Sequence, residues 1–353
     1  MSGNLPRESR GGAVVGGEAH HQKLEVDVTS TSQTILPKFG RTRVSFAISL
    51  LMLGVALVAL YALLHDVDVD KVIAALKAQR IEQIALAGVL VVAGYITLTF
   101  YDVFALRTIG RRAVPYAVAA LASFTSSTIG HSLGAAVLTG GLVRLRIYSG
   151  WGLTVIDIAK IALVTGMTFW LGNGVLLGGA IAYAPEAASA VDHLPVWINR
   201  GIGLAGLLAV VCYLIWLVPR PRAIGRSGWR LALPNLRFTL VQIGIGALDL
   251  TFVTLAMHTL LPSTPAVEFS TVLVIFLTAA FLGTVSHAPG GLGVIEATML
   301  IGFPQFQKED LLAALLTFRV LYFLLPLLFA ALSLGLRELR MLARSASEPP
   351  SPQ

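Results

Sequence analysis

The sequence predicts an all-α polytopic membrane protein, with about six full transmembrane helices and two re-entrant, broken-helix hairpins arranged as an inverted repeat. Three observations lead there. The 353 residues are 56% hydrophobic and 13% charged, with a mean hydropathy of +0.78; soluble domains carry roughly 25% charged residues. Several apolar runs are about 20 residues or longer, the length of helix that crosses ~30 Å of hydrocarbon with its backbone hydrogen bonds made internally. The basic residues gather in short loops beside those runs, the mark of cytoplasmic loops. Topology therefore accounts for the net charge of +7 better than nucleic-acid binding does. A single cysteine, Cys212, excludes an intramolecular disulfide framework and a multi-cysteine metal site.

Residues 1–42 are polar and rich in Gly, Ser and Thr, the composition of a disordered cytoplasmic tail. The first apolar run starts near Val44, too late and too long for a signal peptide, so an uncleaved first span is expected. Full spans are expected at about 44–64, 83–106, 153–182, 199–218, 238–261 and 312–336, and a second disordered tail at 341–353. Two further segments, 115–141 and 267–302, are apolar at their ends and broken in the middle by small and polar residues. The first contains Thr125-Ser126-Ser127-Thr128-Ile129-Gly130-His131-Ser132-Leu133-Gly134, the second Ser286-His287-Ala288-Pro289-Gly290-Gly291-Leu292-Gly293. A proline followed by three glycines in four positions does not continue a straight lipid-facing helix. Irregular backbone at membrane depth is tolerated only against protein or water, hence the expectation of hairpins.

The charges give the orientation. Lys38, Arg41 and Arg43 precede the first span and put the N-terminus in the cytoplasm. Arg107, Arg111 and Arg112 follow the second span, and Arg144 and Arg146 end the first broken segment. Arg220, Arg222, Arg226, Arg230 and Arg237 fill one loop with no acid among them, and Arg337, Arg340 and Arg344 follow the last span. The remaining loops are mixed or acidic, with Asp66, Asp68, Asp70, Glu186, Asp192, Glu268, Glu309 and Asp310. The pattern is consistent if 115–141 begins and ends inside, 267–302 begins and ends outside, and both termini are cytoplasmic.

A repeat emerges from the same pass. Thr128, His131 and Gly134 recur as Thr284, His287 and Gly290, an offset of 156. Shifted by 156, the spans 44–64, 83–106 and 153–182 fall on 200–220, 239–262 and 309–338. The halves are then 43–182 and 183–340, each with three full spans and one broken hairpin. Three is odd, so the halves are inverted, an arrangement many secondary transporters use with the site at the repeat interface.

Several residues carry chemistry in this frame. In the second hairpin, Pro289, Gly290, Gly291 and Gly293 allow backbone to approach a ligand, and a broken helix offers N–H groups to an anion; the alternative is that they only shape a tight bend. Glu296 lies in the apolar stretch that follows, where an acid defaults to function because burying it is costly. In the first hairpin, Gly140 and Gly141 give the same access, and Arg144 and Arg146, just before Tyr148, offer planar donors for phosphate oxygens; the alternative for both arginines is anchoring on the positive side. Asp157 and Lys160 stand at i, i+3 and are expected to pair with each other. Asp102 lies close to Arg107, where a local pair is plausible. Asp249 is near mid-span and either pairs or lines a cavity, and Arg319 needs a partner, with Glu296 or Asp157 as candidates. His131 and His287 are expected to be hydrogen-bonded packing residues, since no companion ligands stand at zinc-like spacing. No metal or cofactor is expected. The sequence carries no Gly-x-Ser-x-Gly elbow, phosphate-binding loop or His-Glu-x-x-His motif, and no stretch long enough for a soluble ATPase domain.

Three stretches carry a family resemblance: Tyr101-Asp102-Val103-Phe104-Ala105-Leu106-Arg107, Thr139-Gly140-Gly141-Leu142-Val143-Arg144-Leu145-Arg146-Ile147-Tyr148, and Ser286-His287-Ala288-Pro289-Gly290-Gly291-Leu292-Gly293-Val294-Ile295-Glu296. With Phe318-Arg319, Tyr322 and Pro326, they resemble the membrane region of bacterial lysylphosphatidylglycerol synthase/flippase proteins, the multiple peptide resistance factors, over about residues 43–340. The resemblance implies a multi-pass protein of the bacterial inner membrane that translocates a phospholipid, in that family aminoacylated phosphatidylglycerol. The family's synthase domain would follow the membrane region, so a stand-alone member without transferase activity is expected. Three rival readings stay open: an integral-membrane transferase acting on a lipid or polyprenyl phosphate, a non-catalytic subunit that recruits a separate lipid-modifying enzyme, and a small-solute transporter. The expected partners are the bilayer, a phospholipid and a second copy of the chain, with no nucleic acid.

The charge pattern makes a direct prediction. In a Cys212→Ser background, single cysteines placed beside Arg112 and Arg146 are expected to react with a membrane-impermeant thiol reagent from the cytoplasmic side only, and one beside Asp68 from the opposite side only. Labelling of the first two from opposite faces overturns the re-entrant reading of 115–141.

Overall fold

The computed structural model describes residues 68–133, 136–218, 223–226 and 229–347. The expected tail at 1–42, the span at 44–64, Gly134 and residues 348–353 lie outside them. So do Lys38, Arg41, Arg43, Asp66, Arg220 and Arg222. The described chain is helical almost throughout. It runs through α1 (Val69–Ala78), α2 (Ile81–Thr108), α3 (Tyr116–Leu133), α4 (Ala136–Tyr148), α5 (Val155–Tyr183), α6 (Pro185–Asp192) and α7 (Val196–Leu217). A two-stranded antiparallel hairpin follows, β1 (Ala223–Arg226) with β2 (Trp229–Ala232), pairing Ala223 with Ala232. Then come α8 (Leu236–Leu260), α9 (Phe269–Ser286), α10 (Val294–Gly302), α11 (Lys308–Arg319), a π-helical turn (Val320–Leu324) and α12 (Leu325–Ser347). The short β-hairpin lies inside the arginine-rich loop, and the architecture is the all-α polytopic one expected from the sequence. The final helix runs on to Ser347, past the expected boundary at 340.

Among the described residues six helices are long and apolar enough to cross a membrane: α2, α5, α7, α8, α9 and the run from Lys308 to Arg337. Five are spans expected from the sequence. The sixth, α9, is the first arm of the second hairpin. Both broken segments do turn back on themselves, α3 packing along α4 and α9 along α10. The break between α9 and α10 is built from left-handed backbone: His287 (φ 56°) closes α9, and Gly290 (φ 59°), Gly291 (φ 62°) and Gly293 (φ 80°) follow. Only glycine adopts that region freely, so the Pro-Gly-Gly-Leu-Gly run dictates the turn. The Glu296 carboxylate restarts the helix by accepting the Gly293 N–H at 2.8 Å. The same device opens α5, where Thr154 and Asp157 form a reciprocal capping box.

Element order recurs across the two halves: α2, the α3–α4 hairpin and α5 correspond in sequence to α8, the α9–α10 hairpin and the last span, near the 156-residue offset. The triplet that first suggested the offset does not share an environment. Thr128 is buried and Thr284 exposed.

The helices cross through small residues, as expected where lipid is as apolar as any side chain and close van der Waals approach supplies the association. A Cβ added to Gly172 on α5 would sit 2.5 Å from the backbone of Gly246 on α8, and one on Gly246 would sit 2.5 Å from the Thr168 carbonyl oxygen. Gly203 on α7 meets Gly178 and Ala182 on α5 in the same way. Gln242 ties the α5–α8 crossing by donating to the Thr168 hydroxyl at 2.9 Å. The α9 arm is enclosed: Val272, Val274, Ile275 and Leu277 are buried, and they pack in one core with Val91, Tyr95, Val253, Met257, Met299, Leu315 and Phe318. The first hairpin shares a second core with α5, built from Ala119, Ala122, Ile147, Tyr148, Ile158 and Ile161. Leu204, Leu208, Val211 and Ile215 of α7 and Leu86, Val89 and Ile96 of α2 face outward, as lipid-facing positions must.

Overpacking a closed contact costs about 1–3 kcal/mol. Gly246→Val is therefore expected to lower the thermal midpoint of the purified protein in detergent, and Gly244→Ala, at a position with open space around it, to leave the midpoint near wild type. Equal midpoints for the two variants contradict the crossing.

Candidate functional site

Three intramembrane acids are paired, and the pairs organise the site. Asp102 on α2 is fully buried and is held by Arg144 from α4: Nε donates to both carboxylate oxygens at 3.1 Å and Nη2 donates to Oδ1 at 2.8 Å. The Tyr148 hydroxyl completes the arrangement at 2.7 Å from Oδ2. A planar guanidinium fits a carboxylate in this forked way, and both groups are out of water. Asp102 thus pairs with Arg144, whereas its near neighbour Arg107 is exposed. Arg144 becomes possible there because Gly140 lets α4 approach α3. A Cβ at Gly140 would lie 2.9 Å from the Ser126 carbonyl oxygen and 3.6 Å from Arg144 Nη1. Gly141 has no such neighbour. Arg146 is exposed on the same helix.

Arg319 pairs with Glu296, the first of its two expected partners. Arg319 Nη1 also donates to the Gly290 carbonyl at 3.1 Å, and its guanidinium lies over the Phe323 ring at 5.6 Å. One arginine therefore clamps both sides of the second hairpin's break, the turn at Gly290 and the restarted helix at Glu296. A Cβ at Gly290 would crowd Arg319 Nη1 at 3.3 Å as well as demanding a positive φ. Pro289 and His287 are exposed, with His287 Nδ1 2.8 Å from the Val285 carbonyl oxygen.

Asp157 pairs with Arg111 at 2.9 Å instead of with Lys160, a correction to the i, i+3 expectation. Its Oδ2 is spent on the capping box, accepting from the Thr154 backbone and hydroxyl, and this turns the carboxylate back toward the loop and away from the next helical turn. Lys160 is half-buried. Asp249 is buried near the middle of α8, where the Tyr101 hydroxyl donates to Oδ2 at 3.1 Å and Oδ1 has no hydrogen-bond partner.

The end of α3 and the turn of the second hairpin meet on the last span. The Pro289–Gly291 turn packs against α3, and both contact the π-helical turn or the residues beside it. His131, at the tip end of α3, stacks on Tyr322 with ring centroids 6.5 Å apart, while the neighbouring Phe323 lies against Gly290. The π-turn has a chemical cause. Pro326 has no N–H to give the Tyr322 carbonyl four residues earlier. The Tyr95 hydroxyl from α2 takes that carbonyl at 2.9 Å. Tyr95, Tyr101, Arg111 and Arg337 are site-building residues that sequence reasoning did not single out. Arg337 donates to the Ile147 carbonyl at 3.2 Å, capping the first hairpin from the last span. A signal for Tyr95 exists in the sequence, since Pro326 orphans a carbonyl that needs a donor from elsewhere. Among the described residues no group of three His, Cys, Asp or Glu side chains is placed to hold a metal ion.

Comparison with known proteins adds the family. The chain is 32% identical over 279 residues to the uncharacterised protein slr0712 of Synechocystis, covering 78% of this chain and 86% of that one. It is 31% identical over 256 residues to the inner membrane protein YbhN of Escherichia coli, covering 70% and 78%. Similarity to a phosphatidylglycerol lysyltransferase of Staphylococcus haemolyticus reaches 38% identity but is confined to 66 residues, 18% of this chain and 8% of that enzyme. No protein-family model matches the chain. The chain belongs to the family of YbhN and slr0712, and it is a multi-pass membrane protein.

Removing one partner of a buried pair strands the other charge and costs about 3–5 kcal/mol, whereas removing both is far milder. Asp102→Ala is therefore expected to cut the yield of monodisperse purified protein more than the double variant Asp102→Ala/Arg144→Leu. A double variant no better than the single one argues against the pairing.

Proposed function

We propose that the chain is a lipid translocase that moves the headgroup of an anionic phospholipid between leaflets along a polar path between the two hairpin tips. The observation that carries this reading is the convergence of His131 and Gly290 on the two sides of Tyr322–Phe323. Non-helical backbone at membrane depth belongs where protein or a polar path receives it, and broken helices meeting at a repeat interface are the usual transporter solution. Acyl chains stay in the bilayer, so only the headgroup needs the path.

The two ion pairs divide the labour by their exposure. Arg144 and Asp102 are 8% and 0% exposed in their side chains, against 16% and 12% for Arg319 and Glu296. The first pair is a closed structural fork. The second stands beside the hairpin turn, and a lipid phosphate competing with Glu296 for Arg319 gains the planar donors that guanidinium offers. Release of Glu296 then leaves an acid for a cationic headgroup, as an aminoacylated lipid would present. The local likeness to a phosphatidylglycerol lysyltransferase supports a phosphatidylglycerol-type substrate. Localisation in the bacterial inner membrane is supported by YbhN.

The test is headgroup translocation of labelled phosphatidylglycerol, with and without an aminoacyl group, in proteoliposomes. A hydrogen bond to a charged group contributes about 1.5–3 kcal/mol, so Arg319→Ala is expected to slow movement by roughly 10- to 100-fold. Glu296→Gln is expected to impair the aminoacylated lipid more than the plain one. No protein-dependent movement of either lipid by folded wild-type protein rejects the translocase reading.

A further inference from the structure

We propose that Asp249 is a proton-binding site that exchanges with the aqueous phases and couples the chain to the transmembrane proton gradient. The energy coupling rests on the translocase reading; the proton site itself does not.

Asp249 differs from the other buried acids among the described residues. Asp102, Asp157 and Glu296 each have an arginine. Asp249 is 4% exposed, near the middle of α8, and no basic side chain of the described residues pairs with it. Its one donor is the neutral Tyr101 hydroxyl on Oδ2. Its Oδ1 lies against the α2 backbone, 3.6 Å from where a Cβ on Gly94 would stand, with no hydrogen-bond partner. The groups around it are named by element. From α2 come Tyr101 and, farther off, Tyr95. Tyr322 of the last span stands within electrostatic reach of it. The α9 arm carries no titratable residue. Asp157 and Lys160 on α5, Arg319 on α11 and Arg200, Cys212 and Tyr213 on α7 make no hydrogen bond or ion pair with it. A carboxylate held by one phenol and no cation at membrane depth is expensive, and the economical neutraliser is a proton.

The chemistry balances without a co-reactant. A proton from one aqueous phase forms the carboxyl O–H on Asp249, and that bond breaks when the proton leaves to the other phase. Three further buried polar atoms without partners, Thr128 Oγ1, His131 Nδ1 and Ser132 Oγ, sit on α3 toward the hairpin tip. His131 stacks on Tyr322, whose carbonyl binds Tyr95. Tyr101 on Asp249, Tyr95 on the Tyr322 carbonyl and His131 on the Tyr322 ring thus bring hydroxyls and one imidazole to the contacts among α2, α3, α8 and the last span. Through Tyr95 and His131, the Tyr322 position links the surroundings of Asp249 to the first hairpin, the contact that the translocase reading sets in motion.

Two measurements test this. The first is an infrared pH titration of the purified protein in lipid nanodiscs. A protonated carboxyl band that titrates is expected in wild type and in Glu296→Gln, lost in Asp249→Asn, and restored at a shifted frequency in Asp249→Glu. No titrating band in wild type, or a band that survives in Asp249→Asn, overturns the proton site. The second is movement of labelled phosphatidylglycerol under an imposed pH gradient. Wild type is expected to respond with a slope up to the order of tenfold per pH unit, the limit for one proton, abolished by a protonophore and absent in Asp249→Asn. Rates indifferent to the gradient, or dependent on sodium, overturn the coupling. A failure of the translocase reading shows as no movement at any pH with the infrared band still present.

Discussion

A peptide group left without a hydrogen bond in hydrocarbon costs several kcal/mol, and between α9 and α10 this apolar bundle leaves regular helix. The rest of the architecture answers that cost. The α9 arm is among the most enclosed helices of the protein, surrounded by α5, α8, α10 and α6. At its broken end the Gly290 carbonyl is taken by Arg319 and the Gly293 N–H by Glu296. The first hairpin is tied to its neighbours as well: Ser123 donates to the Leu98 carbonyl of α2 at 2.6 Å, and Arg337 covers the Ile147 carbonyl in the last turn of α4. Arg319, Glu296, Asp157 and Arg337 are thus hydrogen-bond partners of backbone at turns and helix ends.

That origin constrains function. An arginine that closes a hairpin is also the group a phosphate would seek, so ligand binding and hairpin opening draw on the same donors. In the proposed translocase, binding would shift conformation by its differential affinity for the clamped and released states. Asp102, Arg144 and Tyr148 are too enclosed to take part without unfolding the α2–α4 contact. The asymmetry between the two hairpins, one locked and one clamped by a half-open pair, suits a mechanism in which one moves against the other.

Much of the fold was legible in the sequence because its signals are long. Runs of about 20 apolar residues and a Pro-Gly-Gly-Leu-Gly break leave few alternatives. Pairings were less legible, because helix phase and crossing angle decide them. Asp157 and Lys160 stand at a pairing distance on paper, yet Thr154 claims the carboxylate as a cap and Arg111 arrives from another loop. Asp102 skips its neighbour Arg107 for a residue 42 positions away. Glu296 with Arg319 was foreseeable as one of two options, since an intramembrane arginine must find an acid. The β-hairpin at 223–232 was hidden among arginines that already had a reason to be there.

The π-turn at Val320–Leu324 carries one residue more than α-helical winding would use. An inserted residue advances the helix by about 100°. The last span is therefore two helices joined out of phase: its first half aims Arg319 at the second hairpin, and its second half aims Arg337 at the first. Neither half could serve both hairpins in one uninterrupted winding. Loss of a single residue between 320 and 324 would rotate everything beyond it by a quarter turn or more and unseat Arg337 from Ile147, although every side chain in both contacts would still be present. The angular phase of this one helix, set by Pro326 and held by Tyr95, acts as the dimension to which both halves of the molecule are cut.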